Sequence, residues 1–193
     1  MTRFGYVMTA YFASLATVGT AFLSPSPRLI WNASASIPTG LYAVRPARHA
    51  GPGELVAVTP PDALAAYLAD RHYLPRGVPL LKRVAAVSGQ RVCRNGTRVS
   101  IDRRIVGEAL RRDRSGRVLP VWRGCHRLSR GEIFVMNAQV PDSFDGRYFG
   151  PLPTATIIGR LSPLWVRTRS GHLVDGGAAP SRSGDSRPAT ELK

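Results

Sequence analysis

A mainly β domain behind a single N-terminal apolar helix is the fold class this sequence predicts, on three observations. The 193 residues include 16 Pro and 19 Gly, too many chain breakers for a long-helix bundle or a coiled coil. Between the breakers lie short runs rich in β-branched residues, the mark of strands. The third observation is a stretch from Phe4 to Pro27 without one charged residue. With 44% apolar residues the remainder has the composition of one packed domain.

The elements follow in chain order. Gly5 to Leu23 (GYVMTAYFASLATVGTAFL) is mostly apolar and lies between Arg3 and Arg28. As a helix it would extend about 28 Å, nearly the hydrocarbon thickness of a bilayer. A cleaved secretory signal and a buried core helix are the competing readings. The run is longer than a signal core and no small-x-small cleavage site follows it, so residues 1–28 read as an uncleaved anchor. Arg3 would then stay in the cytoplasm while the rest crosses, since long domains translocate largely regardless of charge.

Residues 29–169 read as the folded domain. Strands are predicted at Glu54–Thr59, Leu80–Ser88, Arg98–Val106, Glu132–Asn137, Thr156–Leu161 and Leu164–Thr168. One helix is predicted over Pro60–Asp70, with Thr59 as N-cap and Leu64, Tyr67 and Leu68 on one face. Residues 93–125 read as an inserted hairpin or subdomain, closed at its ends by Cys93 and Cys125. In an exported domain these favour a disulfide, worth about 3–4 kcal/mol in the chain-entropy model. Free thiols, or a Cys125 nucleophile beside His126, are the alternatives; adjacent residues of an extended segment point to opposite faces, which speaks against the second. Residues 170–193 are rich in Gly, Ser, Pro and Ala and read as a disordered tail.

The charge narrows the function classes. Net charge is +15, with 27 Lys+Arg against 12 Asp+Glu, and all the cations but Lys82 and Lys193 are Arg. Such a balance would suit a membrane-anchored basic domain that binds nucleic acid or anionic lipid. The arginines are dispersed, without a run or an aromatic-basic pattern, so nucleic acid is not an expected partner. No H-E-x-x-H, Walker loop or G-x-G-x-x-G occurs, and four scattered histidines lack ligand spacing, so no metal or cofactor is expected. Asn32 and Asn95 each begin a glycosylation sequon, a pattern short enough to arise by chance.

Three segments carry chemistry. Asn32-Ala33-Ser34-Ala35-Ser36-Ile37-Pro38-Thr39-Gly40 follows the anchor, and its small residues leave two hydroxyls exposed before a turn that could hold Ser36 at a defined angle. Lys82, in Leu80-Leu81-Lys82-Arg83-Val84, sits in an apolar strand where desolvation would lower its pKa and free its amine to take a proton; Arg83, on the opposite face, cannot. In Asp142-Ser143-Phe144-Asp145-Gly146-Arg147, Asp145 and Arg147 are two apart and able to pair, with Ser143 on the same face.

Together, in this order, the three segments resemble the type I signal peptidase family of Ser/Lys proteases, over about residues 5–168. Within the family, the single anchor, the short domain and Ile37 in place of the usual Met are similar to its TraF-type branch, the conjugative-transfer peptidases that mature pilin precursors. The resemblance implies a coiled β-sheet or barrel catalytic domain, with Ser36 as nucleophile, Lys82 as general base and Asp145 as the family's acidic residue. It implies Ser34 as an oxyanion-stabilising hydroxyl, Ser143 as a hydrogen-bond partner of the lysine, and Arg147 as the arginine that pairs with the acid. The implied partners are an exported pilin precursor or another membrane-tethered pre-protein, the bacterial inner membrane and the conjugation machinery, with catalysis in the periplasm. A general type I signal peptidase acting on many exported proteins is the alternative.

Overall fold

The computed structural model describes residues 2–21, 28–47, 49–167 and 173–175. Helix α1 (Arg3–Ala21) forms within the apolar run. Among the described residues no helix is long and apolar enough to cross a membrane, and Phe22 and Leu23, which complete the run, lie outside them. Two glycines, a serine and three threonines in this helix dilute the hydropathy of the run; Thr9 and Thr17 return their hydroxyls to the carbonyls of Gly5 and Ala13.

Strands β1 (Leu29–Asn32) and β2 (Gly40–Pro46) come next, then β3 (Leu55–Val58), helix α2 (Asp62–Asp70) and β4 (Leu80–Val87). Strands β5 (Arg91–Asn95), β6 (Arg98–Ile101), β7 (Arg104–Glu108) and β8 (Gly124–Arg127) make up the inserted region. The chain returns through β9 (Glu132–Val135), the short helix α3 (Gly146–Phe149), β10 (Leu152–Pro153), β11 (Ile157–Arg167) and β12 (Leu173–Asp175).

The protein is mainly β, as predicted. An eight-stranded sheet runs in the order β1-β2-β11-β3-β4-β9-β10, with β12 also on β11, and every pairing is antiparallel. Register shifts at Ile157/Gly159, Pro163/Trp165 and Val84/Ala86 bend it, because an extra residue kinks its strand and increases the local twist. Among the described residues β1 and β10 do not pair, so the sheet is open rather than a closed barrel. Apolar residues fill both faces of its centre: Val56, Ala57 and Val58 of β3 are fully buried, alternating between two core clusters. The smaller sheet, β7-β6-β5-β8, packs Val92, Val99 and Ile101 against Ala86 and Phe134 of the larger one and against Met136 just beyond β9.

Several elements differ from the sequence reading. Helix α2 begins at Asp62 with Pro61 as its N-cap and no side-chain cap, so Thr59 does not cap it; two prolines separate Thr59 from the first turn. The expected strand Arg98–Val106 is a hairpin, because Asp102 and Arg103 take positive φ (48° and 70°) in a two-residue turn. The two strands expected at Thr156–Leu161 and Leu164–Thr168 are one strand, β11, carried through Pro163 by a bulge. Of the segment read as a disordered tail, Leu173–Asp175 pairs with Arg167–Trp165, and its other residues, 170–172 and 176–193, lie outside the described ones. Strands β1, β2, β5, β8 and β10 were not predicted; each is short or breaks the alternation of apolar residues.

Cys93 and Cys125 are bonded, directly opposite one another on β5 and β8. The bridge staples a sheet whose outer strand β8 is exposed along its length. Replacing both cysteines by Ala should lower unfolding stability by about 3 kcal/mol, the loss expected for closing a loop of this length. Urea denaturation of the pair variant checks this, and an unchanged midpoint would mean that core packing alone holds β8 in place.

Candidate active site

Asn32, the last residue of β1, shapes the loop that joins it to β2. Its buried side chain donates from Nδ2 to the carbonyls of Ser34, Ile37 and Pro38 at 2.9, 3.1 and 3.1 Å. Its Oδ1 accepts from the Ser34 amide at 3.0 Å and the Ser34 hydroxyl at 2.8 Å. Ile37 is sunk in the core below, and Tyr42 Oη clamps the Pro38 carbonyl at 2.7 Å. Burial pushes the Tyr42 phenol up to about 12, so this donor keeps its proton at physiological pH. Gly40 ends the loop with φ of 147°, and a Cβ there would strike the Trp165 carbonyl on β11.

Ser34 and Ser36 hold their hydroxyls 3.0 Å apart at the loop tip. A serine hydroxyl has one proton, and that of Ser34 goes to Asn32, so the proton shared in this pair comes from Ser36. Ser36 is half-buried.

Lys82 lies in the middle of β4, only 3% exposed. Its Nζ donates to Ser143 Oγ at 2.8 Å. Burial lowers the amine to about 8; Arg147 pushes the same way, while Asp145 and Asp142 oppose the shift without cancelling it. Arg83 points to the other face, as expected, and donates to the Gly53 carbonyl at 2.9 Å in solvent.

Behind Lys82 is a buried ionic knot. Asp145, fully buried, caps α3 and accepts from the amide and Nε of Arg147 through Oδ1, and from Arg147 Nη2 and the Asn137 amide through Oδ2. The Arg147 guanidinium also donates to the carbonyls of Glu108, Val140, Pro141 and Ser143. Gly146, between the two, lies so close to β9 that a Cβ would come within 2.7 Å of the Phe134 ring and the Val135 carbonyl. This fixes where the Asp145–Arg147 pair can sit.

Ser34, Ser36, Lys82 and Ser143 line one groove of about 850 Å³, with Leu80, Leu81, Val140 and Phe144 among its apolar walls. Asp145, Arg147, Cys93 and Cys125 do not line it. Two segments form its flanks, the loop after α2 and the loop between β7 and β8. Tyr73 hydrogen-bonds Asp113 across them, and Arg117 pairs with the same carboxylate at 2.7 Å. These bonds hold the Asp113 carboxyl down at about 2. Ser36 and Lys82 share the groove but do not hydrogen-bond to each other; the hydroxyl and the amine are each engaged by a neighbouring serine instead.

Sequence reasoning missed Asn32, which reads there as a chance sequon, and gave no role to Asn137. Neither bears a reactive group, and the only signal was a polar residue at the end of an apolar strand.

The model of the family described as Signal peptidase, peptidase S26 matches residues 1–165. The chain is 32% identical over 154 residues to a probable conjugal transfer protein TraF of Sinorhizobium fredii, covering 76% of this chain and 81% of that one. It is 30% identical over 169 residues to a plasmid transfer protein TraF of Escherichia coli, covering 82% and 93%. Among solved structures, a signal peptidase I of Enterococcus faecalis is matched over 58% of this chain and 96% of that one, at 17% identity and a TM-score of 0.35.

Proposed function

From the premise that this chain belongs to the signal peptidase family, peptidase S26, we propose that it is a membrane-anchored serine endopeptidase that matures a pilin precursor for conjugative transfer. The observation that carries the reading is a lysine 3% exposed, lowered to about 8, that opens onto the same groove as a half-buried serine. A surface lysine would stay charged and useless as a base at neutral pH; burial lowers this one toward neutrality, so that its free amine is available. The names of the relatives, a conjugal and a plasmid transfer protein, support the transfer context.

In this mechanism Ser36 Oγ attacks the scissile carbonyl while Lys82 Nζ takes its proton, then returns it to the departing amine. The resting Ser36 proton lies on Ser34, so substrate entry must turn Ser36 toward Lys82 and free Ser34. The Ser34 hydroxyl and the Ser36 amide then stabilise the oxyanion. Ser143 accepts a hydrogen bond from Lys82 and keeps its lone pair directed into the groove. Asp145 acts at one remove, by holding Arg147 and through it the Ser143 carbonyl. Water resolves the acyl-enzyme to a linear product; the substrate's own N-terminal amine resolves it to a cyclic one.

Helix α1 supplies the anchor. Phe4, Tyr6, Val7, Tyr11, Phe12, Leu15 and Val18 are all exposed on it, an apolar surface that no core covers among the described residues, which supports its burial in a membrane; the proposed anchor would hold the catalytic domain at the periplasmic face of the inner membrane. The test is co-expression in membranes with the pilin precursor of a conjugative plasmid, and mass spectrometry of the product. Wild type should shorten the precursor and Ser36→Ala should leave it intact; a product one water lighter than the linear fragment identifies cyclisation. Cutting by Ser36→Ala would refute the assignment.

A further inference from the structure

Asn137 does not line the groove, carries no charge and is 5% exposed, yet it bonds the backbone of Ser36, the backbone on both sides of Lys82, and Asp145. Its Nδ2 donates to the Ser36 carbonyl at 2.8 Å, across 101 residues of sequence, and to the Leu81 carbonyl at 3.4 Å. Its Oδ1 accepts from the Arg83 amide at 3.0 Å. Its own backbone N–H donates to Asp145 Oδ2 at 3.0 Å.

The placement has a physical cause. Strand β9 pairs with β4 as far as Val135↔Val84, and the Met136 amide still reaches the Arg83 carbonyl at 2.8 Å before the chain turns away. Beyond that point the Arg83 amide and the Leu81 carbonyl would face no backbone partner. The Asn137 side chain takes the place of the missing peptide, bonding the residues on both sides of Lys82. The amide orientation is not free: the Arg83 N–H can only donate and the two carbonyls can only accept, so oxygen must face Arg83 and nitrogen must face Ser36 and Leu81.

We propose that Asn137 is a positioning residue that sets the spacing between Ser36 and Lys82. It holds the nucleophile's own carbonyl, and so restrains the backbone torsion that aims Ser36, while it braces the strand segment from which Lys82 projects. Through its backbone the same residue is tied to the Asp145–Arg147 knot that holds Ser143. Only Asn meets these demands. Asp has no donor for the two carbonyls, Gln is one carbon too long for the gap, and Leu bonds nothing. The inference rests on the reading of Ser36 and Lys82 as the catalytic pair.

The experiment uses the full chain in membranes with the precursor, comparing wild type, Asn137→Ala, Asn137→Asp, Ser36→Ala and Lys82→Met. For wild type and the Asn137 variants, rates are divided by the number of active molecules, counted by end-point labelling of Ser36 with a serine-reactive phosphonate; the Ser36→Ala and Lys82→Met rates are taken per molecule of protein. Asn137→Ala should lose about 10²-fold in kcat, the size of effect expected for a displacement near 1 Å, with KM within about twofold because Asn137 meets no substrate. Asn137→Asp should lose as much, and the pH at which its rate rises should move upward, because a carboxylate beside β4 favours the protonated lysine. A wild-type kcat per labelled molecule in Asn137→Ala, with Ser36→Ala and Lys82→Met inactive, would overturn the positioning role alone. The same holds if the whole loss is a smaller labelled fraction, which is what a purely structural residue would give. Undiminished cutting by Ser36→Ala or Lys82→Met would overturn the catalytic reading and Asn137's role with it.

Discussion

Lys82→Met is expected to abolish processing and, at the same time, to make the folded domain more stable. Loss of the general base should reduce the rate by about 10⁴-fold, the upper end of what proton transfer by one positioned side chain supplies. Lys82→Arg should be as inactive, because a guanidinium keeps its proton. In the wild type the rate should rise with pH through about 8 and level off above it, since the neutral amine is the active form. The stability effect has the opposite origin. Lys82 titrates at about 8 in the fold against 10.5 for a solvated lysine, so between these values the unfolded chain binds the extra proton and unfolding is favoured. That cost is present in full below pH 8 and fades as pH rises through 10.5. It corresponds to about 3 kcal/mol. Met matches the length of the lysine stem, and the variant leaves the Ser143 hydroxyl without its donor, a loss of about 1 kcal/mol. The net gain at pH 7 is about 2 kcal/mol, or several degrees in Tm. Scanning calorimetry at pH 7 and pH 10.5 checks both ends. Lower stability of Lys82→Met than wild type at pH 7 would mean that the amine is better satisfied in the groove than its burial implies.

Asp145→Ala should produce the largest loss of stability of any single change near the site. It leaves the Arg147 guanidinium, 1% exposed, without its counter-charge, and removes two acceptor atoms from the amides of Asn137 and Arg147. Breaking a buried pair from one side costs about 3–5 kcal/mol, a large part of the roughly 5–15 kcal/mol that stabilises an ordinary domain. Arg147→Lys should recover little, because an ammonium cannot serve Asp145 through two nitrogens while also reaching the carbonyls of Glu108, Val140, Pro141 and Ser143. Urea unfolding measures the loss. A destabilisation under about 1 kcal/mol would place water around the pair and remove its hold on Ser143. Activity should fall with stability even where the protein remains folded, since Ser143 is the hydrogen-bond partner of Lys82.

How much of this was legible in the chain varies by residue. Lys82 could be picked out because it stands alone among arginines inside an apolar strand, and a cation there is either misplaced or working. Asp145 and Arg147 are expected to pair as residues sharing a face of an extended segment; they do pair, but because Asp145 caps the four-residue helix that carries Arg147, wholly buried and off the groove, which could not be read. The Cys93–Cys125 bond is what two cysteines of an expected exported domain would form, and they are bonded. Hairpins were harder. Asp102-Arg103 makes a turn with positive φ without the usual Gly, and Gly40–Pro46 pairs along its length although its alternation is broken by Arg45 and Pro46.

Local chemistry, then, was written along the sequence: which side chain could attack, which could lose a proton, which charges could neutralise each other, and where the chain must turn. These depend on residue type and on neighbours a few positions away. Tertiary structure alone decided what joins them. Asn137 meets Ser36 across 101 residues and Lys82 meets Ser143 across 61. Tyr73 meets Asp113 across 40. The first two contacts exist because an antiparallel sheet of non-sequential strands sets β4 beside β9, with the loop after β1 and the segment after β9 closing over them; the third exists because the loop after α2 and the loop between β7 and β8 flank the same groove. A hydrogen bond needs its partners within about 3 Å, and which distant residues come that close is set by the packing of the whole sheet, to which no local stretch of sequence has access.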